Sequence, residues 1–163
     1  MNGDTKLYDL LEQLGIRFEY IEHPPAPTIE TARQYWAGHD AKHCKNLFFR
    51  NHKGDRHYLV ILDCDCNMDI HGIEKLLHQG KLSFASGKRM LKYLGVTPGS
   101  VTPFGLINDG EHHVHVFLDQ NLQHAQRLSF HPCINTASLI LSREDFIRFL
   151  DYAGNTYEWL ELY

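Results

Sequence analysis

The run Lys45-Asn46-Leu47-Phe48-Phe49-Arg50, then Lys53-Gly54-Asp55, then His57-Tyr58-Leu59-Val60-Ile61-Leu62, decides how the chain folds. Both apolar runs are short and rich in β-branched and aromatic side chains, and a glycine-containing turn separates them, so they predict a β-hairpin. Upstream, Leu7, Leu10, Leu11 and Leu14 recur at i, i+3, i+4 and i+7 with Gly15 behind them. That is an amphipathic helix with its C-terminal stop. Residues 16–21 alternate Ile16, Phe18 and Tyr20 on one face, as a short strand does. The segment His23-Pro24-Pro25-Ala26-Pro27 is a stiff extended loop, because proline fixes φ and has no N–H to donate. Thr28 is placed to cap a helix that reaches Trp36.

Downstream, two helices are predicted, one carrying Ile73, Leu76 and Leu77, the next carrying Met90, Leu91 and Leu94 before Gly95. Leu82-Ser83-Phe84-Ala85 between them is short and strand-like. Pro98-Gly99 opens a turn into Phe104-Gly105-Leu106-Ile107; Asn108-Asp109-Gly110 is a hairpin turn signal, and residues 114–118 form the return strand. Strands follow over 127–130 and 136–141. Ser142 with Asp145 marks the start of a last helix through Phe146, Ile147 and Leu150 to Gly154. No regular βαβ repeat appears, so the pattern predicts an α+β fold: a single domain over residues 1–163, with a mixed β-sheet flanked by helices.

Bulk properties narrow the function. A chain of 163 residues with 43% hydrophobic and 22% charged residues is the size and composition of one globular core. No apolar run approaches the roughly 20 residues of a membrane span, and the first ten residues lack the pattern of a secretory signal. Four cysteines are too few for a disulfide scaffold of this length, which fits a reducing, cytoplasmic setting. The net charge of −4 excludes a long track of phosphate contacts and leaves room for a local basic patch.

Three segments carry residue types suited to chemistry. Lys45 lies between Cys44 and an apolar strand start, where a fixed ammonium stabilises a developing oxyanion or holds a phosphate. The alternative is a strand-edge lysine whose stem packs and whose head reaches water. Gly99-Ser100-Val101-Thr102-Pro103 is a loop whose glycine permits close backbone approach and whose proline stiffens the far end, or a plain helix-to-strand connection. Phe130-His131-Pro132-Cys133-Ile134-Asn135-Thr136 brings an imidazole, a carboxamide and a hydroxyl into one bend; a turn histidine with no reactive part is equally compatible with it.

Taken in order, Lys45-Asn46-Leu47-Phe48, the run from Gly99 to Asp109, and Phe130-His131-Pro132 with Asn135-Thr136 resemble the YbaK/prolyl-tRNA-synthetase-associated editing domain family. The PrdX-like branch, alanine-specific prolyl-tRNA deacylases, is the nearest in pattern. His23-Pro24-Pro25 with Thr28 and Leu82-Ser83-Phe84-Ala85 also fit, so the likeness runs from about residue 5 to 150. It implies a trans-editing hydrolase that removes alanine from mischarged proline tRNA, without a cofactor. It further implies Lys45 as the essential lysine, His131 as the histidine that positions substrate, and residues 99–103 as a GxxxP substrate loop. Asn46, Asn135 and Thr28 are implied neighbours of the pocket. The partner is the acceptor end of a proline tRNA, with prolyl-tRNA synthetase as a further candidate. Such an enzyme answers a physical need, because a pocket built for proline rejects a smaller apolar amino acid by only ~1–3 kcal/mol per missing methylene.

Other chemistries remain open on these residues. Lys88, Arg89 and Lys92, with Lys81 upstream, form a basic stripe that would meet tRNA phosphates or simply face solvent; Lys42, His43, Arg50 and Lys53 make a second one. Cys64 and Cys66 with His112, His113 and His115 contain zinc-ligand types, but no matched Cys-x-x-Cys pair. Cys44 would be a nucleophile if His131 lay beside it. A cysteine-specific deacylase and a non-catalytic aminoacyl-tRNA-binding domain are the remaining alternatives.

Overall fold

The computed structural model describes residues 1–25 and 29–163, and for residues 29–32 the backbone alone. The elements in chain order are α1 (Thr5–Gln13), β1 (Glu19–Glu22), α2 (Ile29–Trp36), β2 (Lys42–Arg50), β3 (His57–Asp63), α3 (Ile70–Leu77), β4 (Ser83–Phe84) and α4 (Gly87–Leu94). A 3-10 turn (Pro103–Asn108), β5 (Val114–Asp119), β6 (Arg127–Phe130), β7 (Ala137–Ser142), α5 (Arg143–Ala153) and β8 (Tyr157–Leu160) follow. The hairpin forms as expected, in antiparallel register from Cys44↔Asp63 to Arg50↔His57. Among the described residues, eight strands make one mixed sheet in the order β1-β7-β6-β2-β3-β5-β8, with β4 paired to the far half of β2. The fold is the α+β arrangement that the sequence pattern predicts.

Three elements differ from the expectation. The first strand begins at Glu19 rather than Ile16, because the helix cap uses the intervening residues. Gly15 is left-handed at φ +68°, and the N–H of Ile16 donates to the carbonyl of Leu11 at 2.9 Å, closing a Schellman cap. Residues 104–107 are not a strand. Thr102 Oγ1 accepts the N–H of Phe104 and Pro103 opens the turn, which winds the apolar run into 3-10 geometry. Gly105 there lies against α4, where a Cβ would meet the Leu94 carbonyl at 2.7 Å. The C-terminal strand β8, unanticipated, pairs parallel with β5 from Val116↔Tyr157 to Asp119↔Leu160.

Strand alternation divides the sheet into two faces. On one, Phe48, Leu59, Ile61, Val116, Leu128 and Phe130 pack against α5 and the 3-10 turn through Phe104, Phe146 and Phe149. Fully burying one such side chain contributes about 1.5–3 kcal/mol. On the other, Phe49, Tyr58, Val60, Leu62 and Phe117 pack under Ile73 of α3 and Leu162. Among the described residues, the backbone ladder that joins the two halves of the sheet is the short parallel pairing of β2 with β6, at Lys42↔Leu128 and His43↔Ser129, and the larger core packs across it.

Candidate active site

Lys45 and His131 each lie two residues beyond the last β2–β6 ladder pair, where the strands fork. His43 and Ser129, a register pair, point to one face, and alternation carries Lys45 to that same face, while His131 follows directly on the end of β6. Helix α2 lies over it. Trp36 stacks on His43 with ring centroids 4.0 Å apart and planes 4° from parallel, and Tyr35 lies 5.9 Å from His23. Burial and the nearby cations push the His43 imidazole down to about 4, so it is neutral, and its buried Nδ1 has no partner among the described residues.

The half-buried Lys45 extends its ammonium to Asn67 Oδ1 at 3.0 Å. Asn67 follows the end of β3 and was not a sequence candidate. His131 Nδ1 lies 2.8 Å from the Ala137 carbonyl. A carbonyl only accepts, so Nδ1 carries the hydrogen and neutral His131 presents Nε2 as an acceptor. Burial lowers its pKa, and His23, with its ring centroid 5.9 Å away, adds to that; the Ala137 bond opposes. His23 is itself fixed, with Nδ1 donating to the Pro24 carbonyl and Nε2 accepting from the Ser138 hydroxyl, both at 2.9 Å.

The other candidates arrive from the opposite face. Asn46, paired with Ile61, sides with Phe48, and its Oδ1 is buried without a partner among the described residues. In the 99–103 loop, Gly99 takes φ +89°, Ser100, Thr102 and Pro103 are buried, and Val101 packs on the larger core. Asn135 reaches this loop: its Nδ2 would be 3.7 Å from a Cβ at Gly99. The structure thus joins Gly99 to Asn135 and sets Lys45 and His131 at one fork, without a direct bond among Lys45, His131 and the loop. Thr28 lies outside the described residues.

The alternatives fare differently. Burial pushes the Cys44 thiol far above its ordinary range and Cys133 up to about 12, so neither offers a thiolate at neutral pH. The zinc candidates separate: His113 and His115 stand at the start of β5 and Cys64 beyond the end of β3, roughly 20 Å apart for seven strand residues. The group that does gather, Asp63, Cys64 and Asp65, has both carboxylates matched to cations, Asp63 to Lys42 at 3.0 Å and Asp65 to Arg33.

The basic stripe loses a member. Lys81, Lys88 and Lys92 are exposed, but Arg89 turns inward. Its guanidinium donates to the Gly54 carbonyl at 2.8 Å and to His57 Nε2 at 2.9 Å. Arginine only donates, so His57 carries its hydrogen on Nδ1 and gives it to His113 Nε2, 2.9 Å away. Tyr93 packs on both imidazoles, tilted to His57 at 4.3 Å and stacked on His113 at 4.5 Å. Of the second stripe, Lys42 is held by Asp63.

Comparison with known proteins bears on this arrangement. The family model for the aminoacyl-tRNA editing domain matches residues 23–149. The prolyl-tRNA editing protein ProX of Acetoanaerobium sticklandii is 40% identical over 162 residues, covering 99% of each chain. Prolyl-tRNA synthetase associated domain-containing protein 1 of Mus musculus is 34% identical over 156 residues, covering 93% of this chain and 91% of its own. A solved structure described as a candidate trans-editing enzyme for prolyl tRNA synthetase superposes with a TM-score of 0.70 at 20% identity, over 96% of this chain and 94% of that one. At that identity the superposition speaks for the fold. With a family match over most of its length and a relative at 40% identity from end to end, this chain belongs to the aminoacyl-tRNA editing domain family.

Proposed function

We propose that residues 1–163 act as one cytoplasmic trans-editing domain that hydrolyses alanine from mischarged proline tRNA, with Lys45 and His131 at the catalytic fork. The observation that carries this reading is the placement of Lys45 and His131 at equivalent positions beyond the β2–β6 ladder, inside the segment matched by the editing family. An aminoacyl ester is already activated, so positioning and electrostatics supply most of what hydrolysis requires. Water adds to the ester carbonyl carbon, the bond to the ribose oxygen breaks, and that oxygen takes the proton from the water and leaves as a hydroxyl. Free alanine and intact tRNA leave. The Lys45 ammonium holds the ester and stabilises the oxyanion, while His131 Nε2 accepts a hydrogen bond from the substrate. Gly99 and the following loop backbone, with Ser100, Val101, Thr102 and Pro103, close on the aminoacyl group from the other face; Asn46, Asn135 and Thr28 border it. The protonated Cys44 speaks against an acyl-enzyme route. Exposed Lys81, Lys88 and Lys92 suit phosphate contacts of the acceptor stem, and prolyl-tRNA synthetase is a fitting partner.

Purified protein offered alanyl-, cysteinyl-, seryl- and prolyl-tRNA(Pro) should deacylate the alanyl form fastest and spare the prolyl form. Faster turnover of the cysteinyl form would move the substrate to cysteine. Tight binding of all four without turnover would make the chain a binding module.

A further inference from the structure

The segment that leaves β3 meets three cations at alternate positions. Asp63 takes Lys42 at 3.0 Å, Asp65 takes Arg33, and Asn67 takes Lys45 at 3.0 Å. Two of the three acceptors are carboxylates, and the one facing Lys45 is a neutral amide. Asp63 holds the ammonium of Lys42 above its ordinary range. An amide oxygen has a different effect: it aims the ammonium as a dipole does and leaves its full charge available to a ligand. Among the described residues Lys45 has no ion pair.

The exposed amide stands on backbone that is held on either side. The N–H of Asp65 donates to Asp63 Oδ1 and that of Cys66 to the Asp63 carbonyl, both at 3.0 Å, which folds the turn. Two residues past Asn67, Asp69 donates its N–H to the Leu162 carbonyl at 2.7 Å and caps α3 through Gly72. Asn67 is therefore suspended between two pinned points, and Met68 beside it packs on the smaller core.

We infer that Asn67 is a positioning residue for the editing reaction, whose neutral side chain orients the Lys45 ammonium while leaving its charge uncompensated for an anionic or carbonyl-bearing substrate. This rests on the role of Lys45 proposed above. A carboxylate at position 67 would repeat the pairing made at 63 and 65, and would hold Lys45 as Lys42 is held.

The test uses Asn67→Asp and Asn67→Ala in the full chain, each alone and combined with Lys45→Ala. Single-turnover deacylation of alanyl-tRNA(Pro) should fall about tenfold or more in Asn67→Asp, although the hydrogen bond persists, and by less in Asn67→Ala. Neither change should alter the residual rate once Lys45 is absent, and both single variants should melt as the wild type does. Competitive acetylation followed at each lysine gives a second, activity-independent readout: labelling of Lys45 relative to Lys42 should drop several-fold in Asn67→Asp. Wild-type rates in Asn67→Asp, or losses that persist without Lys45, overturn the inference, as does unchanged labelling. A wild type that deacylates no tRNA overturns the proposed function instead, and the labelling then decides alone whether Asn67 sets the state of Lys45.

Discussion

The two ends of the β2–β3 hairpin carry polar clusters of similar parts and opposite completeness. At the turn end, Arg89, Gly54, His57 and His113 form a chain in which every hydrogen bond has one possible direction, sealed by Tyr93 and Phe48. At the open end, Lys45 bonds to Asn67, while Asn46 Oδ1 and His43 Nδ1 are buried without partners among the described residues. A satisfied cluster adds to stability; an unsatisfied one lowers it and keeps bonding capacity for a ligand. On the function proposed above, the same hairpin serves the fold at one end and the reaction at the other.

The comparison breaks most sharply if Lys45 proves structural. Lys45→Ala should cost about 100-fold or more in deacylation rate, the scale of removing one group that stabilises the transition state, with melting changed by no more than a few degrees. An undiminished rate would remove Lys45 from the reaction.

His57→Ala should do the reverse. It removes a buried imidazole and takes one partner each from the half-buried Arg89 and His113, and should lower unfolding free energy by about 2–3 kcal/mol in denaturant titrations, with deacylation per folded molecule retained. The wild type carries a pH signature of this cluster. Burial first, then the neighbouring His113 and the Arg89 guanidinium, push the His57 pKa down to about 4 from an ordinary 6.5. The unfolded chain binds the proton first as pH falls, so the contribution is intact above about 6.5 and is lost from there towards 4. The slope is at most about 1.4 kcal/mol per pH unit. Melting temperatures flat across that window would contradict the sealed network.

The smallest effect sharpens the contrast. Asn46→Ala removes an orphaned acceptor, so stability should hold or rise slightly, while KM for alanyl-tRNA(Pro) rises several-fold. A clear loss of stability with KM unchanged would place Asn46 with the structural cluster.

Much of this was legible in the sequence. The hairpin followed from Leu47-Phe48-Phe49 and residues 57–62, because short apolar runs around a glycine turn admit few alternatives. Residues 104–107 misled, since an apolar run carries no sign of whether a neighbouring Thr-Pro pair will wind it into a turn. Residues 157–160 were too short to signal a strand, whose existence depends on β5 as a parallel partner. In the site, ordered motifs marked Lys45 and His131. Asn67 escaped because its role depends on a turn that bends it back to β2. Its only trace was the alternation Asp63, Asp65, Asn67, readable once Lys42 and Lys45 are known to face that turn.

The short β2–β6 ladder also bears on how the molecule assembles and breathes. Its two pairs join residues 86 positions apart in the chain and close a long loop with little bonding to hold it. Each sheet half zips through richer ladders of its own, so the backbone bonds of this seam should form late in folding and open early in local unfolding, with the shared core of Phe48, Phe104 and Phe130 as their other tie. A substrate held by Lys45 and His131, as proposed above, would span the seam. Occupancy would then slow amide exchange along residues 42–43 and 128–130, tying together two halves that the backbone alone holds loosely.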